Sequence, residues 1–220
     1  MFLFLLPYSK KQHAINYRDC NEDRFYLKEF EPFSRLLERN FLQNSNLAPL
    51  YRRFADTFWE SLEFWVLPPR VKEYIKEHSW VLSPLYGLLK PTACVPYVPL
   101  SWKEEHGGKI LLEFWKEHIR NLSKRMLEGK RVIPLIPEEH FSLFDFSHAE
   151  KVIKFEYYRK NEKVKNPSKH RAYTLRYITE KELSLPDFQR INFYDYKVEK
   201  VEEKGRVVLV KLRSEGKYEI

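Results

Sequence analysis

The amino-acid sequence predicts a mixed α/β (α+β) fold: one compact domain over residues 1–220, with a mixed sheet and a central helical segment. Three observations carry this. Phe2 to Leu6 is a short, wholly apolar run stopped by Pro7, the pattern of a buried strand. Much of the stretch from 32 to 127 shows apolar residues at helical spacing. Near the end, FYDYKVEKVEEKGRVVLVKLR (193–213) alternates on both sides of a Glu-Glu-Lys-Gly turn, which signals a hairpin.

Between these ends, helices are expected over Pro32–Gln43, Leu47–Leu67 and Arg70–Glu77. In the second, Leu50, Phe54, Phe58 and Leu62 recur every four residues, and Pro68-Pro69 closes it and opens the next. Trp80–Ser83 reads as a short strand. PTACVPYVPLSW, with three prolines in nine residues, should run as an extended loop. A helix is expected over Gly108–Leu127, with Ile110, Phe114, Ile119, Leu122 and Met126 on its buried side and Gly129 at its stop. Arg131–Ile136 and Val152–Tyr158 read as strands, and Lys169–Thr179 as a helix capped by Ser168.

The chain has 220 residues, 16% of them aromatic, and only six glycines, so it can fill a core and has little material for flexible linkers. Its formal net charge is +8, and nearly all of the excess lies between Lys151 and Arg176, where nine Lys/Arg face two Glu. A localised basic patch attracts polyanions. The two cysteines, Cys20 and Cys94, are far apart and form no C-x-x-C, so no disulfide framework is expected and the composition suits a reducing cytoplasm. The opening MFLFLLPYSKK lacks a basic lead and a small-residue cleavage site, which makes it a poor signal peptide, and it is too short to span a bilayer.

Several chemistries find no motif. The glycines form neither G-x-G-x-x-G nor G-x-x-x-x-G-K-[ST], the seven histidines form no H-E-x-x-H or Cys/His ligand set, and no G-x-S-x-G elbow occurs. No metal or other cofactor is therefore expected, and no obligate protein partner. Cys94 reads as a packed thiol, and His140 as a partly buried, hydrogen-bonded ring beside a strand end.

The most informative stretch is NPSKHRAYTLRYI (166–178). At 100° per residue, Lys169, Tyr173, Arg176 and Tyr177 share one face, while Ala172, Leu175 and Ile178 form the other, with Arg171 on the apolar side. A guanidinium there needs an acidic partner, and Glu139 is the residue expected to supply it. Cations interleaved with tyrosines offer phosphate contacts and ring surfaces for bases. The same pattern also describes an ordinary solvated helix face.

Several segments, in order, resemble the YaaA family, the peroxide-stress proteins of bacteria. LSPLYGLLKP (82–91) resembles L-S-x-L-Y-G-x-L-R-P, with Tyr86, Gly87 and Pro91 matching and Lys90 in place of Arg. VIPLIPEEHF (132–141) resembles V-I-N-L-A-S-x-E-Y-F, with Glu139 on the glutamate, and SKHRAYTLRYI resembles K-x-A-R-G-x-M-x-R-F-I, with Lys169, Arg171 and Arg176 matching. LLPYSKK, LLEFW and FQRINFYDY are similar to further family segments. The chain departs from the pattern at Val98, Pro134, Pro137, His140 and Ala172, and Lys11 or Gln12 stands in for a lysine near the start.

The resemblance implies a positively charged cleft, binding of double-stranded and distorted DNA, and a cytoplasmic role in limiting oxidative damage by keeping free iron low. On that reading Lys169, Tyr173 and Arg176 line the cleft, with Lys90 and Lys10 or Lys11 contributing from loops. The alternative is an enzyme acting on a small anionic substrate, a nucleotide or a carboxylate. Glu139 would then be its acid or base, Lys169 or Arg171 its anion clamp, and Tyr86 a hydrogen-bonding or stacking partner. A divergent member that keeps only the fold is the third reading.

Overall fold

The computed structural model describes residues 1–17, 20, 27–42, 46–218 and 220. One mixed sheet runs through it. In chain order its strands are β1 (Phe2–Leu6), β3 (Ser79–Ser83), β4 (Gly87–Leu89), β8 (Arg131–Pro134), β9 (Lys151–Arg159), β10 (Glu162–Lys163), β11 (Asn192–Phe193), β12 (Tyr196–Lys204) and β13 (Val207–Ser214). Two small antiparallel pairs lie outside it: β2 (Leu47–Pro49) with β5 (Cys94–Pro96), and β6 (Glu105–His106) with β7 (Lys109–Ile110). The helices are α1 (Glu31–Phe41), α2 (Leu50–Arg53), α3 (Thr57–Leu62), α4 (Pro69–His78), α5 (Leu111–Met126) and α6 (Ser168–Glu180).

The sheet order is β11-β12-β13-β9-β8-β1-β3-β4, with β10 on β9. Strands β13, β9, β8, β1 and β3 are parallel, and antiparallel strands close both edges. This is the mixed α/β architecture that the sequence predicts. The chain leaves β1 for β3 on one side, then crosses back to β8 on the other. The carboxyl ends of β1 and β8 thus flank a topological switch point, where open α/β sheets place ligands. Burial explains the strand composition: Phe2, Phe4, Leu5 and Leu6 are all inside. Phe4 meets Tyr74 of α4, and Phe2 meets Phe188, at ring separations of 6.5 and 5.3 Å. Elsewhere in the core, α1 and α5 pack around the buried Trp115, whose indole N–H donates to the Pro84 carbonyl at 2.7 Å.

Several expectations are corrected. The single helix over Leu47–Leu67 is broken into β2, α2, α3 and a 3-10 turn at Phe64–Val66. Phe54 is drawn extended by a β-bridge to Gln12, and the Ala55 N–H donates to the Lys11 carbonyl at 2.9 Å. Asp56 then starts a new helix, its side chain accepting from the Trp59 N–H, and Glu63 ends it at φ +46°. The four apolar residues are buried as their spacing suggests, but on two short helices and the bridge. Helix α5 begins at Leu111 because Gly107 and Gly108, at positive φ, make the turn of β6–β7. Its fully buried residues are Leu111, Trp115, Ile119 and Ser123, one position along from most of the expected set.

Strand β8 stops at Pro134, short of Ile136. The proline-rich loop contains β5. Ser168 does not cap α6; Pro167 holds the cap position, and the Ser168 hydroxyl donates to Asn166 Oδ1 at 3.0 Å.

The largest correction concerns the cysteines. Cys20 and Cys94 form a disulfide with a Cα separation of 5.7 Å. Their distance in sequence, 74 residues, hid a proximity made by the fold: Cys94 opens β5, which pairs with β2. Beside it Arg53, fully buried, donates to the carbonyls of Asn46 (2.8 Å) and Val95 (3.4 Å).

Candidate functional site

Helix α6 organises the site. Its inner face is His170, Ala172, Thr174, Leu175, Ile178 and Thr179, all buried. The Thr174 hydroxyl is 2.8 Å from the Tyr157 hydroxyl of β9, and burial holds that phenol well above its ordinary range. The amino end of α6 carries no side-chain cap and no acidic residue in its first turn. Its free N–H groups therefore add to the positive field of Lys165 and Lys169, both exposed. Neither lysine makes a hydrogen bond or salt bridge among the described residues.

One turn on, the Tyr173 ring lies 5.1 Å from Tyr194, whose hydroxyl donates to the Tyr173 hydroxyl at 3.4 Å. Tyr194 in turn lies 6.2 Å from Tyr218, and these two rings are 57% and 55% exposed. Sequence reasoning missed Tyr194 and Tyr218. Tyr194 lies in the family-like segment FQRINFYDY and Tyr218 offered only its aromatic ring, and their convergence on α6 depends on the turn after β11, where Tyr194 takes φ +52°.

The other selected residues separate. Arg176 is committed to acids: Nη1 is 2.7 Å from Glu63 and Nε 3.4 Å from Glu180. Lys10 and Lys11 follow β1 and are exposed, and Lys11 is 3.4 Å from Glu60. Lys90 lies at the opposite end of the parallel strands, away from these lysines. Its ammonium donates to the Glu77 and Ser79 carbonyls at 2.9 and 3.4 Å and sits 4.0 Å over Trp80. Burial lowers its pKa to about 8. Tyr86 is buried, its hydroxyl donating to Glu38 at 3.0 Å. The small cavity beside it is lined by Tyr8, Gln12, Phe54 and Val98, with neither Glu139 nor Arg171 on its wall.

Glu139 and Arg171 do share a neighbourhood, without forming the expected salt bridge. Glu139 points to solvent, 77% exposed, and lies 3.9 Å from His140 Nε2. His140 is buried against Trp102 at 5.2 Å, its Nδ1 has no hydrogen-bond partner among the described residues, and burial lowers its pKa. The histidine expected to be partly buried and hydrogen-bonded is thus buried, with Nδ1 unpaired among the described residues. Burial also depresses the Arg171 guanidinium, opposed by Tyr157, Glu138 and Glu139. A cavity of about 40 Å³ is lined by Arg171, Lys154, Glu138, Phe155 and Glu156. A larger one of about 400 Å³ lies at the amino ends of β1 and β8, but its Arg70 and Arg131 are paired at 2.7 Å with Glu182 and Glu150.

Among the described residues, no group of three or more His, Cys, Asp and Glu is placed to hold a metal ion, and no helix is long and apolar enough to cross a membrane.

Comparison with known proteins places the chain. Residues 12–202 match the family model described as peroxide stress protein YaaA. The chain is 26% identical over 173 residues to a UPF0246 protein of Polynucleobacter necessarius, covering 72% of this chain and 67% of that one. It is 22% identical over 190 residues to the uncharacterized protein Cj0984 of Campylobacter jejuni, covering 69% and 77%. A UPF0246 protein of Finegoldia magna is 35% identical over 68 residues, spanning 31% of this chain and only 25% of the relative. With the family model matched across most of its length, the chain belongs to the YaaA peroxide stress protein family.

Proposed function

We propose that this protein serves the cytoplasmic response to peroxide by binding duplex DNA, including distorted DNA, along the outer face of α6, and so helps to limit iron-dependent damage. One observation carries the reading: Lys165 and Lys169 stand exposed at an uncapped helix start, without acidic partners among the described residues, and Lys169 is one turn from Tyr173 of the Tyr173–Tyr194–Tyr218 rings. Much of the remaining basic surface is neutralised, as at Lys11–Glu60, Lys163–Glu156 and Arg176–Glu63. Unpaired lysines hold phosphates, and exposed rings take up bases that have left the stack. Family membership supplies the peroxide context.

The test is binding of labelled duplexes, one perfect and one carrying unpaired bases, across a salt series. Lys165→Ala with Lys169→Ala should weaken both duplexes and flatten the salt slope by roughly 0.9 per lost phosphate contact. Tyr194→Ala should weaken the distorted duplex by about 1–3 kcal/mol and spare the perfect one. Affinity and slope unmoved by the double lysine variant would overturn the assignment.

A further inference from the structure

The sheet has a window. Strand β8 pairs with β9 only at Arg131–Lys151 and Val132–Val152, after which β8 ends at Pro134. The same edge of β9 is next occupied at Tyr158 and Arg159, by β10. The Tyr157 carbonyl already accepts from the Val164 N–H on that edge at 2.8 Å. Backbone groups alternate along a strand, so Phe155 presents its N–H and carbonyl to the same side, toward the end of β8, where Pro134 has no N–H to carry the ladder on. The 40 Å³ cavity sits in this opening, between the end of β8, the 3-10 turn at Glu138–Leu143, β9 and α6.

Two cations line it without a hydrogen-bonding or salt-bridging acid among the described residues. The Lys154 ammonium rests 5.0 Å over the Phe141 ring. The Arg171 guanidinium is partly buried, and burial lowers its pKa against the pull of Tyr157, Glu138 and Glu139, with none of which it forms a hydrogen bond or salt bridge among the described residues. Of the two carboxylates on the wall, Glu156 is already occupied: it accepts from Lys163 at 2.7 Å and from the Tyr158 hydroxyl at 3.1 Å. A partly buried guanidinium without hydrogen-bonded compensation costs stability, and a fork of N–H donors is matched by a carboxylate or a phosphate. The volume decides the size. It is far below the several hundred Å³ of a pocket for a drug-sized ligand, but on the scale of a few water molecules, and so of one oxyanion group.

From this geometry we infer that the window between β8 and β9 is a binding site for one small oxyanion group, a carboxylate or a phosphate, clamped by Arg171 and Lys154. The site is separate from the proposed DNA face: Arg171 lies about 200° around α6 from Lys169. Glu138, on the same wall, opposes the anion and sets its affinity.

The experiment titrates the full-length protein with inorganic phosphate and, separately, with acetate, at constant ionic strength balanced with chloride. Calorimetry and thermal melts are read together. At least one anion should bind saturably and raise Tm above the chloride control, and which one does so distinguishes a phosphate ester from a carboxylate as the natural group. Arg171→Met should bind at least tenfold more weakly while melting no lower than wild type without anion, as an uncompensated charge predicts. Lys154→Ala should weaken binding severalfold, and Glu138→Gln should strengthen it. Two results would overturn the site: neither anion differing from chloride, or binding unchanged in Lys154→Ala and in Arg171→Met. If Arg171→Met fails to fold, Lys154→Ala and Glu138→Gln carry the test.

Discussion

The Arg176 guanidinium lies 2.7 Å from the Glu63 carboxylate, joining the middle of α6 to the left-handed residue that ends α3. Glu180 adds a second acid at 3.4 Å on the same helix. This pairing makes Arg176 a clasp between helices and leaves it little charge for a ligand. Arg176→Ala is expected to cost about 1 kcal/mol in a urea melt, since both partners are partly solvated. DNA affinity should change less than twofold in the same variant. A loss matching that of Lys169→Ala would return Arg176 to the binding face.

The Cys20–Cys94 bridge closes a loop of 74 residues that contains β2, α1 to α4, β3 and β4. Constraining a loop of that length in the unfolded chain stabilises the fold by about 4 kcal/mol on the chain-entropy account. Thermal melts with and without reductant should therefore separate clearly, and Cys94→Ser should match the reduced protein. Coincident melts would show that the bridge constrains nothing that the packing of β2 on β5 does not already fix.

His170 is buried between Tyr157 and Tyr196, and neither ring nitrogen has a hydrogen-bond partner among the described residues. Burial, aided by Lys169, lowers its pKa to about 4. The unfolded chain takes up this proton near pH 6.5, and the folded chain only near 4. Stability from the neutral ring is therefore full above pH 6.5, falls as the pH drops through this window, and is lost below about 4. The total is about 3 kcal/mol. Asp56, pushed up to about 6 by burial, runs the other way, gaining stability as it protonates. The difference between wild type and His170→Phe isolates the histidine. Urea melts at pH 7 and 4.5 should show wild type losing more stability on acidification.

Gly87 follows Tyr86 at φ +72°, and a Cβ built there would lie 2.8 Å from Phe30 Cδ2 and from Trp115 Cζ3. Both rings are buried and neither is the free end of a flexible chain. Gly87→Ala combines a left-handed backbone with overpacking, so a loss of about 3 kcal/mol is expected from denaturant unfolding. A variant as stable as wild type would mean that Phe30 and Trp115 repack freely.

Much of the fold was legible because it is written in local patterns. The run at Phe2–Leu6, the alternation about Gly205 and the inner face of Ala172, Leu175 and Ile178 each reveal an element through its own period. The site was legible in part. The basic, tyrosine-bearing helix could be read directly, as could Arg171 on its apolar side. Which cations are left free for a ligand could not, because Glu63 and the Glu77 carbonyl reach Arg176 and Lys90 only in three dimensions.

By itself, then, the sequence determined the type of most elements, the mixed α/β class, the concentration of charge around α6 and the family pattern. Tertiary structure alone decided the break at Phe54, the joining of Cys20 to Cys94, the approach of Tyr194 and Tyr218 to Tyr173, and the opening between β8 and β9. The physical reason is range. Periodicity and turn chemistry act over a few residues, whereas a bridge, a disulfide, an ion pair or a gap in a sheet depends on segments brought together by the packing of the whole core.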